Sequence, residues 1–256
     1  MDSLSQFSLA GKRALITGSS RGIGFALAGA LAGAGADVIL NSRDTKSLGE
    51  ATASLADSGA RARAVAFDVT NSESVNDAVD YVEREIGPID ILVNNAGMQH
   101  RAPLEAFPED KFEQVIRTNL TSVYLVGQAA AKRMIPRGRG KIINICSLMS
   151  GAARPSIAPY AASKAGVANL TRAMASEWAR HGLNINGIAP GFFKTELNEA
   201  LVRDEKFNGW LEARTPMARW GEVEELGGAA IFLSSDAAAF VNGHILYVDG
   251  GFIATV

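Results

Sequence analysis

The sequence predicts an α/β fold: one doubly wound, parallel, seven-stranded sheet with helices on both faces. Three observations predict it. Short apolar runs alternate with longer helical patterns from one end of the chain to the other. Glycines cluster at the first strand-to-helix turn, at Gly18, Gly22 and Gly24. Polar, glycine and proline residues then recur at the ends of the apolar runs, the edge where such sheets bind ligands.

The elements follow in order. Arg13 to Thr17 reads as a buried strand that enters the turn Gly18-Ser-Ser20-Arg21-Gly22-Ile23-Gly24. An alanine- and leucine-rich helix follows and Gly35 ends it; Asp37 to Asn41 is the second strand. Glycine lets the backbone turn tightly and approach a ligand closely. The helix amino terminus offers free N–H groups and partial positive charge to a pyrophosphate. Thr45 to Asp57 is a polar helix, Arg63 to Phe67 the third strand, and Ser72 to Ile86 a helix stopped by Gly87-Pro88. Asp90 to Val93 leads into Asn94-Asn95-Ala96-Gly97, and one long helical pattern runs from Glu109 to about Ile135. Lys141 to Cys146 is the fifth strand. The helix after it starts near Pro159, a residue suited to a first helical turn, and runs to Arg180. Asn184 to Ala189, the helix Val223 to Leu233 and the strand His244 to Val248 complete the alternation. With no linker, low-complexity tract or repeat, residues 1–256 read as a single domain.

Composition excludes several classes. Net charge is −2, which gives no general attraction for nucleic acid or anionic lipid. No apolar run reaches the ~18 residues of a membrane span. The one cysteine, Cys146, lies in an apolar run and reads as a buried structural thiol. The amino terminus MDSLSQFSLAGK lacks a charged segment followed by an apolar one, so the expected location is the cytoplasm. His100, His181 and His244 have no spacing that would hold a metal, and none is expected.

Chemistry concentrates in Ile142 to Lys164. Tyr160 and Lys164 are four apart, which puts both on one helix face about a turn apart. A nearby ammonium stabilises a phenolate and lowers a tyrosine pKa. A tyrosine so tuned exchanges a proton with an alcohol or ketone near neutral pH. Ser147, at the end of the fifth strand, is placed to hold a substrate oxygen beside it. Alone, the pair also reads as two surface residues of an amphipathic helix; the residues gathered at the same sheet edge decide against that.

These motifs resemble the short-chain dehydrogenase/reductase family over nearly the whole chain. The resemblance rests on Thr17-Gly18-x3-Gly22-x-Gly24, Asp68, Asn94 to Gly97, Asn119, Ser147, Tyr160-x3-Lys164, Pro190-Gly191 and Thr195, in the family's order. It implies a Rossmann fold and hydride transfer between a nicotinamide cofactor and an alcohol or ketone. Tyr160 would be the general acid/base. Lys164 would lower its pKa and bind the nicotinamide ribose, Ser147 would orient the substrate oxygen, and Asn119 would support a water-mediated proton path. Gly18, Ser20, Arg21, Gly22, Ile23 and Gly24 would form the turn against the cofactor. Asp68 and Val69 would contact adenine, with Asn95, Ala96 and Gly97 lining the cleft. Ile188, Pro190, Gly191 and Thr195 would lie by the nicotinamide. The family also implies a tetramer or dimer, with a homotetramer expected here.

Charge orders the cofactors. A carboxylate ending the second strand would repel a 2′-phosphate, but here that strand ends Asn41-Ser42-Arg43 and Arg21 sits in the glycine turn. Two guanidinium groups suit a 2′-phosphate, so NADP is expected ahead of NAD. Residues 191–220 replace a simple crossover and are expected to form a helical lid. Their stretches, with Asn95 to Pro103 and Phe240 to Gly251, resemble the gluconate 5-dehydrogenase (5-keto-D-gluconate reductase) branch of the family. A sugar acid is then the implied substrate. Arg101 is the first candidate for its carboxylate, ahead of Gln99, Arg154, Lys194 and Asn198. A 3-oxoacyl-carrier-protein reductase is the alternative within the fold, and a nucleotide-sensing protein without turnover the alternative outside enzymology.

Overall fold

The structure is a computed structural model that describes residues 4–255. Seven strands form one parallel sheet: β1 (Arg13–Ile16), β2 (Asp37–Leu40), β3 (Ala62–Ala64), β4 (Ile91–Asn94), β5 (Gly140–Ile145), β6 (Leu183–Pro190) and β7 (Ile245–Val248), in the order β3-β2-β1-β4-β5-β6-β7. Parallel strands need crossovers, and the helices that supply them cover both faces, so the strands are apolar on both sides. Alternation sorts the side chains. Leu15, Ile39, Leu92 and Ile142 point to one core, where they meet α3 (Ser72–Tyr81), α5 (Ser122–Met134) and α6 (Ala158–Trp178). Ile16, Leu40, Val93 and Ile143 point to the other, packed by α1 (Gly22–Gly33), α2 (Thr45–Asp57) and α9 (Gly227–Ser234). Among the described residues no helix is long and apolar enough to cross a membrane.

Three elements differ from expectation, each for a local reason. The third strand ends at Ala64 rather than Phe67. The Asn41 side chain, just past β2, donates to the carbonyls of Val65 and Phe67 and takes over from the strand ladder. The long helix expected over 109–135 is α4 (Glu109–Ile116) joined to α5 through a wider π turn at Arg117–Thr121. The helix expected to end at Ile86 likewise closes on a π turn, Val82–Ile86. Such turns add one residue per turn and are frequent at functional sites.

The chain winds outward one way through β1, β2 and β3 and the other way from β4. The crevice at that reversal lies beyond the carboxyl ends of β1 and β4. Residues 191–220 fold over it as two short helices, α7 (Glu199–Val202) and α8 (Glu205–Arg214). Phe192, Phe207, Trp210, Trp220 and Phe252 hold this segment by edge and tilted ring contacts, with centroids 5.1–6.0 Å apart.

Candidate active site

A cavity of about 610 Å³ opens at the carboxyl edge of the sheet and reaches under residues 191–220. It gathers residues from across the sequence. The turn after β1 contributes Gly18, Ser20, Arg21, Gly22, Ile23 and Gly24; the end of β2 contributes Ser42 and Arg43; Asp68 and Val69 come from beyond β3. Asn95, Ala96 and Gly97 follow β4, Ser147 follows β5, and Tyr160 and Lys164 project from α6. Pro190, Gly191 and Thr195 close the far side, and Arg101 reaches in from the loop after Gly97. Ile188 is fully buried in the sheet, and Asn119 is buried behind the wall.

The glycine turn has the shape of an anion cradle. Gly22 starts α1 with φ +55°, a left-handed conformation, and open space lies where a Cβ would stand. A Cβ on Gly24 would run into the Gly18 carbonyl and the Asn95 amide. No side chain caps α1 and its first turn holds no acid. By contrast, Asp44 caps α2 and Asn71 caps α3. Free N–H groups at an uncapped helix terminus are suited to a phosphate. Asp68, on the cavity wall beyond β3, is held below the usual carboxylate range. Burial opposes its ionisation, but hydrogen bonds from the Thr70 amide and hydroxyl, aided by Arg43 and Arg117, outweigh it.

Ser147, Tyr160 and Lys164 meet at the base of the cavity. Ser147 lies two residues past β5 and caps a single 3₁₀ turn, Leu148–Ser150, whose Met149 amide donates to its hydroxyl at 3.1 Å. That hydroxyl accepts there, and its own proton is directed at the Tyr160 phenol, whose ionised form it favours. Lys164 Nζ donates to the Ile145 carbonyl at 2.6 Å and lies 5.9 Å from the Tyr160 ring centroid. Burial pulls the lysine pKa down to about 8, partly opposed by Cys146. The tyrosine corrects an expectation. Its pKa is raised above the ordinary phenol value, because burial penalises the phenolate more than the Ser147 hydroxyl favours it. Lys164 spends its nearest donor on a backbone carbonyl instead of the phenol. Cys146, 1% exposed beside this group, has its thiol pushed up to about 11 by burial, so it is the inert thiol its apolar run indicated.

Asn119 sits in the π turn between α4 and α5, and its side chain is fully engaged. Its oxygen accepts from the Met98 amide at 2.8 Å; its amide donates to the Met98 carbonyl and to Ser163 Oγ. Ser163 in turn donates to the Tyr160 carbonyl. The side chain therefore ties the loop after β4 to the first turns of α6. Arg21 pairs with Glu196 at 3.1 Å, both largely solvent-exposed, and the exposed Arg43 stands 4.0 Å from the partly buried Asp68. Among the lesser substrate candidates, Gln99, Arg154 and Asn198 line the cavity. Lys194 does not; it is paired with Glu222.

Sequence reading named Thr17, Asn94 and Asn95 but not the hydrogen bonds by which they hold this edge together, and it gave no role to Asn41, Asn144 and Thr171. Thr17 Oγ1 accepts from the amides of Asn95 and Ala96, and Asn95 returns its side-chain amide to the carbonyls of Thr17 and Gly18. The β1 and β4 turns are thus locked as one unit. Asn41 receives the Gly18 amide on the same oxygen side of its carboxamide. Asn94, Asn144 and Thr171 form a buried polar chain from β4 through β5 to α6. The available signal was an asparagine inside an otherwise apolar strand, which a buried position tolerates only when it is hydrogen-bonded.

Comparison with known proteins agrees with this geometry. The family profile described as "Enoyl-(Acyl carrier protein) reductase" matches residues 18–253. A gluconate 5-dehydrogenase of Gluconobacter oxydans is 58% identical over 96% of both chains. A 5-keto-D-gluconate 5-reductase of Escherichia coli is 53% identical over 98% of both. Among solved structures, a gluconate 5-dehydrogenase from Burkholderia cenocepacia, in complex with NADP and tartrate, superposes with a TM-score of 0.97 at 53% identity, covering 99% of each chain. Fold, assembled cleft and likeness over the full length concur: the chain belongs to the short-chain dehydrogenase/reductase family.

Proposed function

We propose that this protein is an NADP(H)-dependent oxidoreductase that interconverts D-gluconate and 5-keto-D-gluconate. One observation carries the reaction type: Ser147, Tyr160 and Lys164 share a single cavity with a glycine turn at an uncapped helix. The substrate class draws on the relatives, whose names are gluconate 5-dehydrogenase and 5-keto-D-gluconate 5-reductase.

The residues fit a dinucleotide. The open face of Gly22 and the free amides of α1 suit a pyrophosphate, Asp68 and Val69 the adenine end, and Pro190, Gly191 and Thr195 the nicotinamide end. Asn41 puts no carboxylate at the end of β2, and Arg21 and Arg43 flank that corner. Their present ion pairs are exposed, worth about 1 kcal/mol or less, and easily exchanged for a phosphate. NADP is therefore preferred to NAD. Replacing Arg43 by Ala should weaken NADPH binding about tenfold and leave NADH binding unchanged, as read by fluorescence titration.

When bound, the nicotinamide supplies or accepts the hydride. In the reducing direction Tyr160 gives its phenolic proton to the carbonyl oxygen as the carbonyl carbon gains the hydride, and an alcohol results. The raised pKa keeps that proton in place at neutral pH. The Ser147 hydroxyl, which faces the Tyr160 phenol, turns its O–H to the same oxygen and stabilises the developing charge. Lys164 has three donors and spends one on Ile145, so two remain for the nicotinamide ribose. Asn119 is a positioning residue here. Residues 191–220 act as a lid that excludes water. The chain works as one domain, as a homotetramer in the cytoplasm.

The test follows absorbance loss of NADPH, then NADH, with 5-keto-D-gluconate beside an acetoacetyl thioester. Rapid NADPH loss with the keto acid alone is expected. Loss with the thioester alone would replace this reading by an acyl-carrier-protein reductase. Binding of NADPH without turnover of either would leave a nucleotide-binding protein.

A further inference from the structure

Two guanidinium groups line one cavity, close enough for their charges to be felt by each other, without a carboxylate beside either. Arg101 reaches in from the loop after β4, and Arg154 from the loop between Ser147 and α6. Among the described residues neither is paired with a carboxylate; the nearest partner of Arg101 is the Gln99 carboxamide at 3.4 Å. The two loops are joined, since the Ala102 amide donates to the Ser156 carbonyl at 3.2 Å. Ser156 holds a left-handed backbone, φ 68°, two residues after Arg154. Strain of this kind persists only where the surroundings fix it. Arg154 is half-buried, and its guanidinium lies 5.1 Å from the Phe207 ring centroid, on α8 of the segment over the cavity.

Like charges held together in a partly desolvated cleft are costly unless an anion joins them. Burial lowers the Arg154 pKa, and the charge of Arg101 lowers it further. Arginine stays charged even so, and its planar fork matches a carboxylate. The remaining cavity cations have other work in the reading above: Arg21 and Arg43 stand by carboxylates at the corner suited to the 2′-phosphate, and Lys164 holds the Ile145 carbonyl beside Tyr160.

We propose that Arg154 is a specificity-determining residue that grips the substrate carboxylate jointly with Arg101 and is held in place by the lid residue Phe207. This rests on the sugar-acid reading above and adds to it the group that selects an acid over a neutral sugar. The Phe207 contact couples the carboxylate to the segment covering the cavity, so a substrate without that charge loses both the ion pair and its tie to the lid.

The full-length enzyme is compared with Arg154→Gln, Arg154→Lys and Phe207→Leu. L-sorbose serves as the neutral control, because it carries a hydroxymethyl group where 5-keto-D-gluconate has its carboxylate. Arg154→Gln should lower kcat/KM for the keto acid about 10- to 100-fold, chiefly through KM. Its effect on turnover of L-sorbose should be much smaller than on the keto acid, and the Kd for NADPH should stay within a few-fold of wild type. Arg154→Lys should recover part of the loss, and Phe207→Leu should raise KM by a smaller factor. Tartrate, a hydroxy dicarboxylate, is titrated calorimetrically into the NADPH complex as a probe that needs no turnover, and Arg154→Gln should weaken it at least tenfold. A wild type inactive on the keto acid that still binds tartrate through Arg154 would remove the substrate reading and keep the anion site. An unchanged KM for the keto acid together with unchanged tartrate affinity, or a wild type that binds no tartrate, overturns the proposal. So would equal losses on both sugars.

Discussion

At the scale of single residues, the chemistry depends on how burial moves protons. Tyr160 is held protonated, which suits ketone reduction at neutral pH. Oxidation of the alcohol needs the phenolate and should accelerate as pH rises, while reduction should not. Tyr160→Phe removes the proton donor and should lower kcat about 10²- to 10⁴-fold in steady-state assays, with the Kd for NADPH within a few-fold of wild type. Lys164 carries a linked stability effect. Its folded value of about 8 lies below the ordinary 10.5. Between those values the unfolded chain binds more protons than the folded one, so the contribution of Lys164 to stability rises with pH across that window. Below pH 8 the full cost of burying the ammonium is present. Urea titrations at pH 7.5 and pH 10 should show wild type gaining on Lys164→Met by at most about 3 kcal/mol. The placing of Tyr160 and Lys164 on one face of a helix at the cavity was legible because it depends on short sequence spacing. The raised tyrosine pKa was not, because burial is set by residues distant in sequence.

At the scale of elements, the widened turn at Arg117–Thr121 is what turns Asn119 inward. Its three hydrogen bonds clamp Met98 and Ser163, and so the wall of the cavity to the helix that bears Tyr160. Asn119→Leu leaves the Met98 amide and carbonyl without partners and should destabilise the protein by about 1–3 kcal/mol. The same variant should raise KM by loosening that wall. Chemical denaturation and substrate saturation curves check the two effects separately. The alternation of strands and helices was readable because parallel strands are apolar on both faces and their helices are apolar on one. A π turn was not readable, since one inserted residue barely disturbs an apolar stripe of period 3.6. The early end of β3 was hidden for a related reason. Val65 and Phe67 have the look of a strand, and only the reach of Asn41 shows that a side chain replaces the ladder there. Arg154 stood out little in sequence because its partners, Arg101 and Phe207, lie some fifty residues away on either side.

At the scale of the whole molecule, one sheet carries both halves of the site. Thr17 and Asn95 bind the β1 and β4 turns to each other, and Asn94, Asn144 and Thr171 bind the sheet to α6. Opening the cavity from beneath therefore requires separating strands. The single cysteine of the chain lies in that seam, and this gives the protein a built-in clock. Cys146 is shielded and its thiol is protonated at neutral pH, so a maleimide can label it only in molecules whose β5–α6 seam has parted. The labelling rate is then a direct count of openings, obtained without introducing any mutation or dye. Dinucleotide at a hundred times its Kd should slow that rate about a hundredfold. A rate indifferent to dinucleotide would mean that the thiol is reached by a local breathing motion that leaves the binding cleft intact.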